Sequence, residues 1–394
     1  MNDRADAAAG AAGGGVRDRL RARLLELCAT PSPSLSEAAV VALVRRDLER
    51  LGLTVREDDA GERLGGDSGN LIAELAGGRP ERVVLNAHLD TVPLVPGAPL
   101  APFVEGDMIR TDGTQILGAD DKAGVAVVLG ILHALASTPL ERRPTVVAVF
   151  TVAEERGLLG AHALDVAALR ADVGFAFDGE VPVGEVITGA VYKESLRIVV
   201  RGRRAHAALE PEKGVHAIAA AAAVVAGFPL GRDGDRVANL GRISGGGASN
   251  VVPDEVVLEG EARAFDADDL EGLLAAIRAT AARAVDAFGA SVRVDRERLY
   301  DGYDVPADAA ALLWLRAAAP RHGLRLTTVR SIGGSDTNVF NGKGLQTVNV
   351  GLGMHGIHSV DEWIDVGDLA RVVGWVVGAL VEQPGGGAGA VVAP

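Results

Sequence analysis

The chain has 394 residues, of which 48% are hydrophobic and 23% charged, and a formal net charge of −14. That length exceeds one ordinary core, so two domains are expected, and the balance of apolar and charged residues is that of a packed globular protein. The acidic surplus argues against nucleic acid as a partner, because phosphates demand a basic surface, while leaving room for a local basic pocket that takes an anionic substrate end. The single cysteine, Cys28, excludes an internal disulfide and fits a reducing compartment. No window holds 18 uninterrupted apolar residues, so no membrane span is expected. Residues 1–15 are Ala/Gly-rich without the basic start and apolar core of a signal peptide. They read as a flexible tail, as do residues 384–394, and a cytoplasmic location is the default expectation.

In chain order, a first helix is expected near Val16 to Cys28, stopped by Pro31 and Pro33. A second follows from Ser36 to Leu51, with Ser36 as N-cap and Gly52 closing it. Short apolar runs then appear at Leu71–Leu75, Val83–Ala87, Thr145–Val152 and Val173–Phe177, each with the length and flanking turns of a buried strand. A helix from Lys122 to Ala136 lies among them. This alternation predicts an α/β fold with a mainly parallel, doubly wound sheet flanked by helices, in which ligands gather beyond the carboxyl ends of the strands.

From about Val191 the pattern changes. A strand at Ser195–Val200, a helix at Val215–Ala226, strands at Arg236–Ile243 and Val256–Ala264, a helix at Asp268–Phe288 and a strand at Ser291–Val294 make a small α+β sandwich. After Asp301 the first pattern resumes with Ala307–Ala319, Leu324–Val329 and Gln346–Val350. The expected division is therefore a discontinuous larger domain, 16–190 and 301–383, with a smaller domain, 191–300, inserted into it.

The chemistry-bearing residues collect in the larger domain. His88 lies in Asn86-Ala87-His88-Leu89-Asp90-Thr91, and Asp120 in Gly118-Ala119-Asp120-Asp121-Lys122-Ala123-Gly124. Glu154 and Glu155 end the apolar run Val149–Ala153, Asp178 follows Val173–Phe177, and His358 lies in His355-Gly356-Ile357-His358. Residues two apart in an extended segment share a face, so Asp90 is placed to reach the second ring nitrogen of His88, as carboxylates do for metal-bound histidines. Asp120 and Asp121 also suit a helix N-terminus. Adjacent glutamates after an apolar run repel unless a cation or proton intervenes. A metal held by Glu155 resolves that conflict and leaves Glu154 beside a water whose proton it can take. On spacing alone either His355 or His358 could be the last ligand. The other histidines, His133, His162, His216 and His322, read as helix-face, loop or core imidazoles. Competing signatures are thin: Gly66-Asp67-Ser68-Gly69 has the local look of a serine-protease nucleophile turn without that class's disulfides or β-rich pattern, and neither His-Glu-x-x-His nor a phosphate-binding loop occurs.

These segments, in this order, resemble the two-zinc exopeptidases and deacylases related to peptidase T, which include bacterial glutamate carboxypeptidase and succinyl-diaminopimelate desuccinylase. The resemblance spans about Val16 to Ala379 and is nearest to the peptidase-T-like branch. It implies that His88, Asp120 and Asp178 hold one metal, and that Asp120, Glu155 and His358, rather than His355, hold the other. Zinc is expected, with cobalt or manganese as alternatives. By the same resemblance Glu154 is the general base, Asp90 orients His88, and the inserted domain serves dimerisation or acts as a lid. His206 stabilises the oxyanion, and Asn250, Arg263 and Arg330 contact substrate, arginine being suited to a carboxylate. The implied protein is a homodimeric tripeptide aminopeptidase acting on short peptides. The alternatives are an N-acyl-amino-acid deacylase or carboxypeptidase with the same metals and, more remotely, a metal-free binding protein of this fold.

Overall fold

The apolar runs beginning near residues 71, 83, 145 and 173 become neighbouring strands of one sheet in the computed structural model, which describes residues 3–382, with side chains from Gly15 onward. In chain order the elements are α1 (Asp3–Cys28), α2 (Ala38–Arg50), β1 (Val55–Glu57), α3 (Ala60–Leu64), β2 (Leu71–Leu75), β3 (Arg82–His88), β4 (Phe103–Glu105), β5 (Met108–Arg110), α4 (Ala119–Ala136), β6 (Thr145–Thr151), α5 (Leu159–Ala163), β7 (Val173–Gly179) and β8 (Glu185–Ala190). Next come β9 (Tyr192–Arg201), α6 (Ala217–Gly227), β10 (Gly231–Asp233), β11 (Arg236–Gly245), β12 (Glu255–Ala264), α7 (Ala267–Asp286), β13 (Ser291–Tyr300) and β14 (Tyr303–Asp304). The chain closes with α8 (Ala310–Ala318), β15 (Thr327–Ser331), α9 (Asp336–Gly342), β16 (Thr347–Gly351), β17 (Trp363–Asp365) and α10 (Val366–Val381). Among the described residues no helix is long and apolar enough to cross a membrane.

The chain divides into two compact units. One holds the residues up to Thr188, Val305–Arg330 and those from Ser335 on; the other holds Gly189–Asp304 and Ser331–Gly334. The short return Ser331–Gly334 belongs to the second unit, where Arg263 Nη1 donates to the Ile332 carbonyl at 3.0 Å.

In the first unit the sheet order is β1-β2-β6-β3-β7-β16-β8, with β15 also paired to β8. The four central strands β6, β3, β7 and β16 run parallel, while β1, β2 and β8 pair antiparallel at the flanks. The centre of the sheet is parallel, as expected, and antiparallel strands at its flanks make the whole sheet mixed. Short apolar runs carry no mark of strand direction; connection geometry sets it. Strand β3 is buried at every position after Arg82, as a strand covered on both faces must be. Helix α4 is buried along nearly its whole length, so its apolar residues surround the helix rather than forming a stripe. A separate small sheet, β17-β5-β4, was not expected from the sequence.

Several boundaries moved. Helix α1 starts at Asp3 rather than Val16, so residues 3–15, expected as a tail, are helical; the alanine run favours this. The expected tail at 384–394 lies outside the described residues. Helix α2 has Glu37, not Ser36, at its N-cap, and the Glu37 side chain does not cap the helix amides. Asp67 Oδ1 instead accepts the first free amide, that of Ala38, at 3.0 Å, which gives the Gly66–Gly69 turn a structural role. Helices α9 and α10 are not among the expected elements, although α10 has an Asp365 N-cap accepting from Gly367 and Asp368.

The second unit is a five-stranded antiparallel sheet in the order β10-β11-β12-β9-β13. Leu196, Ile198 and Val200 of β9 pack with Val256 and Leu258 of β12, Ala220 and Val224 of α6, and Leu270, Leu274 and Ile277 of α7. The expected strand–helix–strand–strand–helix–strand order is present, with the short β10 added. The last residues of β8, Gly189 and Ala190, belong to this unit and pair with β14.

Candidate metal centre

Because β6, β3 and β7 are parallel, their carboxyl ends open on one edge of the sheet, the usual place for a site in such folds. His88 is the last residue of β3 and lies in register with Thr151, the last of β6. Asn86 is in register with Ala176, which brings Asp178 level with His88. After β6 the chain turns through Ala153, in a left-handed conformation (φ 53°), into a 3₁₀ turn that carries Glu154 and Glu155. The first turn of α4 departs from helical geometry at Asp120 and Asp121, which are joined by a cis peptide.

The donors converge on Asp120. His88 Nε2 lies 3.0 Å from Asp120 Oδ1 and 3.8 Å from Asp178 Oδ1. His358 Nε2 lies 3.0 Å from Asp120 Oδ2 and 2.9 Å from Glu155 Oε1. One carboxylate therefore faces two imidazoles, one with each oxygen. Ligand atoms of His88, Asp120 and Glu155 lie within 4.8 Å of one another, as do those of His88, Asp121 and Asp178. Asp121, however, is already committed: Oδ2 accepts from His88 N at 3.0 Å and Oδ1 from Gly124 N at 3.1 Å. It braces the site. Gly124 permits this, since a Cβ there would stand 2.4 Å from Asp121 Oδ1 and 2.0 Å from the Phe177 carbonyl oxygen. His355 stacks on Trp363, ring centroids 3.9 Å apart, so the structure places His358 and not His355 among the carboxylates.

Asp90 lies against the second ring nitrogen of His88 with two of its oxygens. His88 Nδ1 is 3.1 Å from the backbone carbonyl of Asp90 and 3.4 Å from its carboxylate Oδ1. A carbonyl only accepts, so Nδ1 carries hydrogen and Nε2 is left to face Asp120. The Asp90 carboxylate, fully buried, also accepts from the amides of Glu154 (2.9 Å) and Glu155 (3.1 Å) and from Ser34 Oγ (2.6 Å). It holds the glutamate turn.

Other braces arrive from distant parts of the chain. Glu362 accepts from the amides of Gly118 (2.6 Å) and Asp120 (2.9 Å), and burial pushes its carboxyl up to about 7. Asn349 Oδ1 accepts from Asp178 N at 2.9 Å. Asp336, at the start of α9, accepts from Thr151 Oγ1 and from Asn86 Nδ2.

Electrostatics supply the test of whether this set fits cations. Burial first, and then neighbouring carboxylates, raise Asp121, Glu154 and Asp178 well above the usual range. For Asp178 the neighbours are Asp120, Asp121 and Glu154; for Glu154 they are Asp336, Glu155 and Asp90. Asp120 is held low because, against its burial, hydrogen bonds from His358 and His88 favour its charge. Burial opposes a charged His88, but Asp120 and Asp90 outweigh it and raise its pKa well above the ordinary value. Hydrogen bonds to Asp120 and Glu155 push His358 up to about 10. Carboxylates crowded out of water with only two imidazoles between them have more negative charge than the protein balances. Divalent ions resolve that, and the donor spacings match the roughly 3.3 Å expected between ligand atoms around a tetrahedral zinc. The residues fit the group.

His206, Asn250 and Arg263 belong to the second unit. His206 Nδ1 accepts from the amides of Ala208 (3.2 Å) and Leu209 (3.1 Å), so Nε2 carries the proton on an exposed ring. Asn250 is brought beside it, its carbonyl accepting from Ala207 N at 2.9 Å. Arg263 is half-buried and bonds Glu261 and the Ile332 carbonyl. Arg330 lies at the end of β15 in the first unit.

Residues 84–382 match the family model described as peptidase family M20/M25/M40. The chain is 36% identical over 367 residues to the uncharacterised protein YqjE of Bacillus subtilis, covering 93% of this chain and 98% of that one. Among solved structures it resembles aminopeptidase PepT from Bacillus cereus (TM-score 0.82, 34% identity) and a tripeptidase from Staphylococcus aureus (TM-score 0.85, 32% identity), each over 93% of this chain and 98% of the other.

Proposed function

This chain belongs to peptidase family M20/M25/M40, and we propose that it is a two-metal exopeptidase that removes the amino-terminal residue from tripeptides and similar short peptides. The observation that carries the reading is the Asp120 carboxylate, with His88 Nε2 3.0 Å from one oxygen and His358 Nε2 3.0 Å from the other. His88, Asp120 and Asp178 would hold one metal, and Asp120, Glu155 and His358 the second. Imidazole and carboxylate donors suit zinc. When bound, the ions would supply the positive charge that makes a nearby water a stronger acid and polarises the scissile carbonyl.

Glu154 does the proton work. Its carboxyl is buried and favours a proton, so it can take one from the attacking water and hand it to the departing amine. Its backbone is fixed by Asp90, which leaves the side chain as the moving part. His206 would donate Nε2–H to the carbonyl oxygen as negative charge develops there. Arg263, Arg330 and Asn250 would bind the peptide's polar ends. The second unit would act as lid or dimerisation module. Helix α6 supports the latter, as it has no polar side chain although Ile218, Ala222 and Ala226 are exposed. The chain's single cysteine, Cys28, has no partner for an internal disulfide, which fits the reducing, cytoplasmic setting proposed here.

A panel of Gly-Gly-Gly-type tripeptides, dipeptides and N-acetyl amino acids, each with and without chelator, tests this. Cleavage of free tripeptides from the amino end, lost with chelator and restored by zinc, is the expected result. Turnover confined to acylated amino acids would move the enzyme to the deacylases, and no turnover with an empty site after zinc addition would make it a binding protein.

A further inference from the structure

The turn that carries Glu154 is held from outside itself. Four consecutive backbone amides each donate to a buried side chain: Val152 N to Asn70 Oδ1 (3.0 Å), Ala153 N to Glu37 Oε1 (3.0 Å), and Glu154 N and Glu155 N to Asp90 (2.9 and 3.1 Å). Asn70, Glu37 and Asp90 are all fully buried. Glu37 is the unexpected member. The same oxygen, Oε1, also accepts from Leu35 N at 2.8 Å. Leu35 (φ 70°) and Ala153 (φ 53°) are both non-glycine residues in the left-handed region, a conformation that persists only where surrounding bonds determine it. One oxygen thus ties down two such residues, the second directly preceding Glu154. The loop between α1 and α2 adds to the hold through Ser34 Oγ, which donates to Asp90, and through Thr91 N, which donates to the Ser32 carbonyl at 2.9 Å.

We propose that Glu37 is a positioning residue for Glu154: through Ala153 it fixes where the base stands, and it touches neither substrate nor metal. This rests on the reading of Glu154 as base. A buried carboxylate next to Asp90 is a costly way to fill space, and Oε2 finds no hydrogen-bond partner among the described residues. What Glu37 supplies is one acceptor at a fixed reach.

Two substitutions separate reach from charge, assayed on the zinc-loaded enzyme with a tripeptide. Glu37→Asp keeps the charge but is one methylene too short. It is expected to lower kcat about tenfold or more, with KM and metal content within about twofold of wild type. Glu37→Gln loses the charge but keeps an oxygen that accepts both amides, and it is expected to retain kcat within about threefold. The proposal is overturned if Glu37→Asp keeps wild-type kcat, if the order of the two is reversed, or if both are equally impaired. Should Glu37→Asp fail to fold, a tenfold loss in Glu37→Gln alone overturns it. Glu154→Gln in the same assay keeps the two ideas apart. If that variant remains active, the base assignment fails by itself; if it is inactive while Glu37→Asp is normal, only the positioning role fails.

Discussion

Glu154→Gln is expected to bind both metals and to lose turnover by about 10²–10⁴-fold, the usual contribution of a positioned general base. The substitution keeps the volume of a buried side chain and leaves the amide bond from residue 154 to Asp90 intact, since that bond is made by the backbone. It removes the one function that glutamine cannot supply, accepting a proton and returning it. Burial, together with Asp336, Glu155 and Asp90 close by, raises the proton affinity of Glu154; a neighbouring cation opposes that, so the group can serve in both directions within one turnover. Metal content by elemental analysis and kcat on a tripeptide are the two readings needed. Near-normal kcat with full metal would remove Glu154 from the role and point to another buried carboxylate beside it, such as Asp336.

Asp120→Ala is expected to cost more than activity. Both imidazoles face this carboxylate, so its loss takes a donor from each proposed metal. Metal content should fall and turnover should become undetectable, a loss beyond the roughly 10–100-fold that removal of a residue supporting a ligand produces. His355→Ala serves as the control. It removes a stacked ring near the site and should leave metal content unchanged. A variant lacking the Asp120 carboxylate that still carried two metals and turned over normally would overturn the shared-ligand reading.

Much of this is legible in the amino-acid chain. Strands β2, β3, β6 and β7 were legible because a strand buried on both faces must be an unbroken apolar run, and the strand–helix order of the second unit was legible for similar reasons. Polar residues at the ends of such runs stood out because packing gives them no purpose, and so His88, Glu154, Glu155 and Asp178 could be picked out without a structure. Between His355 and His358 spacing alone was silent, and resemblance chose the one that the structure brings to Glu155. Tertiary structure alone decided the rest. Strand direction, and hence the mixed sheet, depends on connections that local composition does not encode. Asp90 lies beside His88, as its spacing implied, but its carboxylate also takes the amides of Glu154 and Glu155, which are distant in sequence. Glu37, Asn70 and Asn349 lie in stretches with no motif, because a buried side chain that accepts a backbone amide is specified by where another segment arrives. The donors to the metals announce themselves in sequence through their chemistry, and the groups that hold those donors in place do so only through the fold.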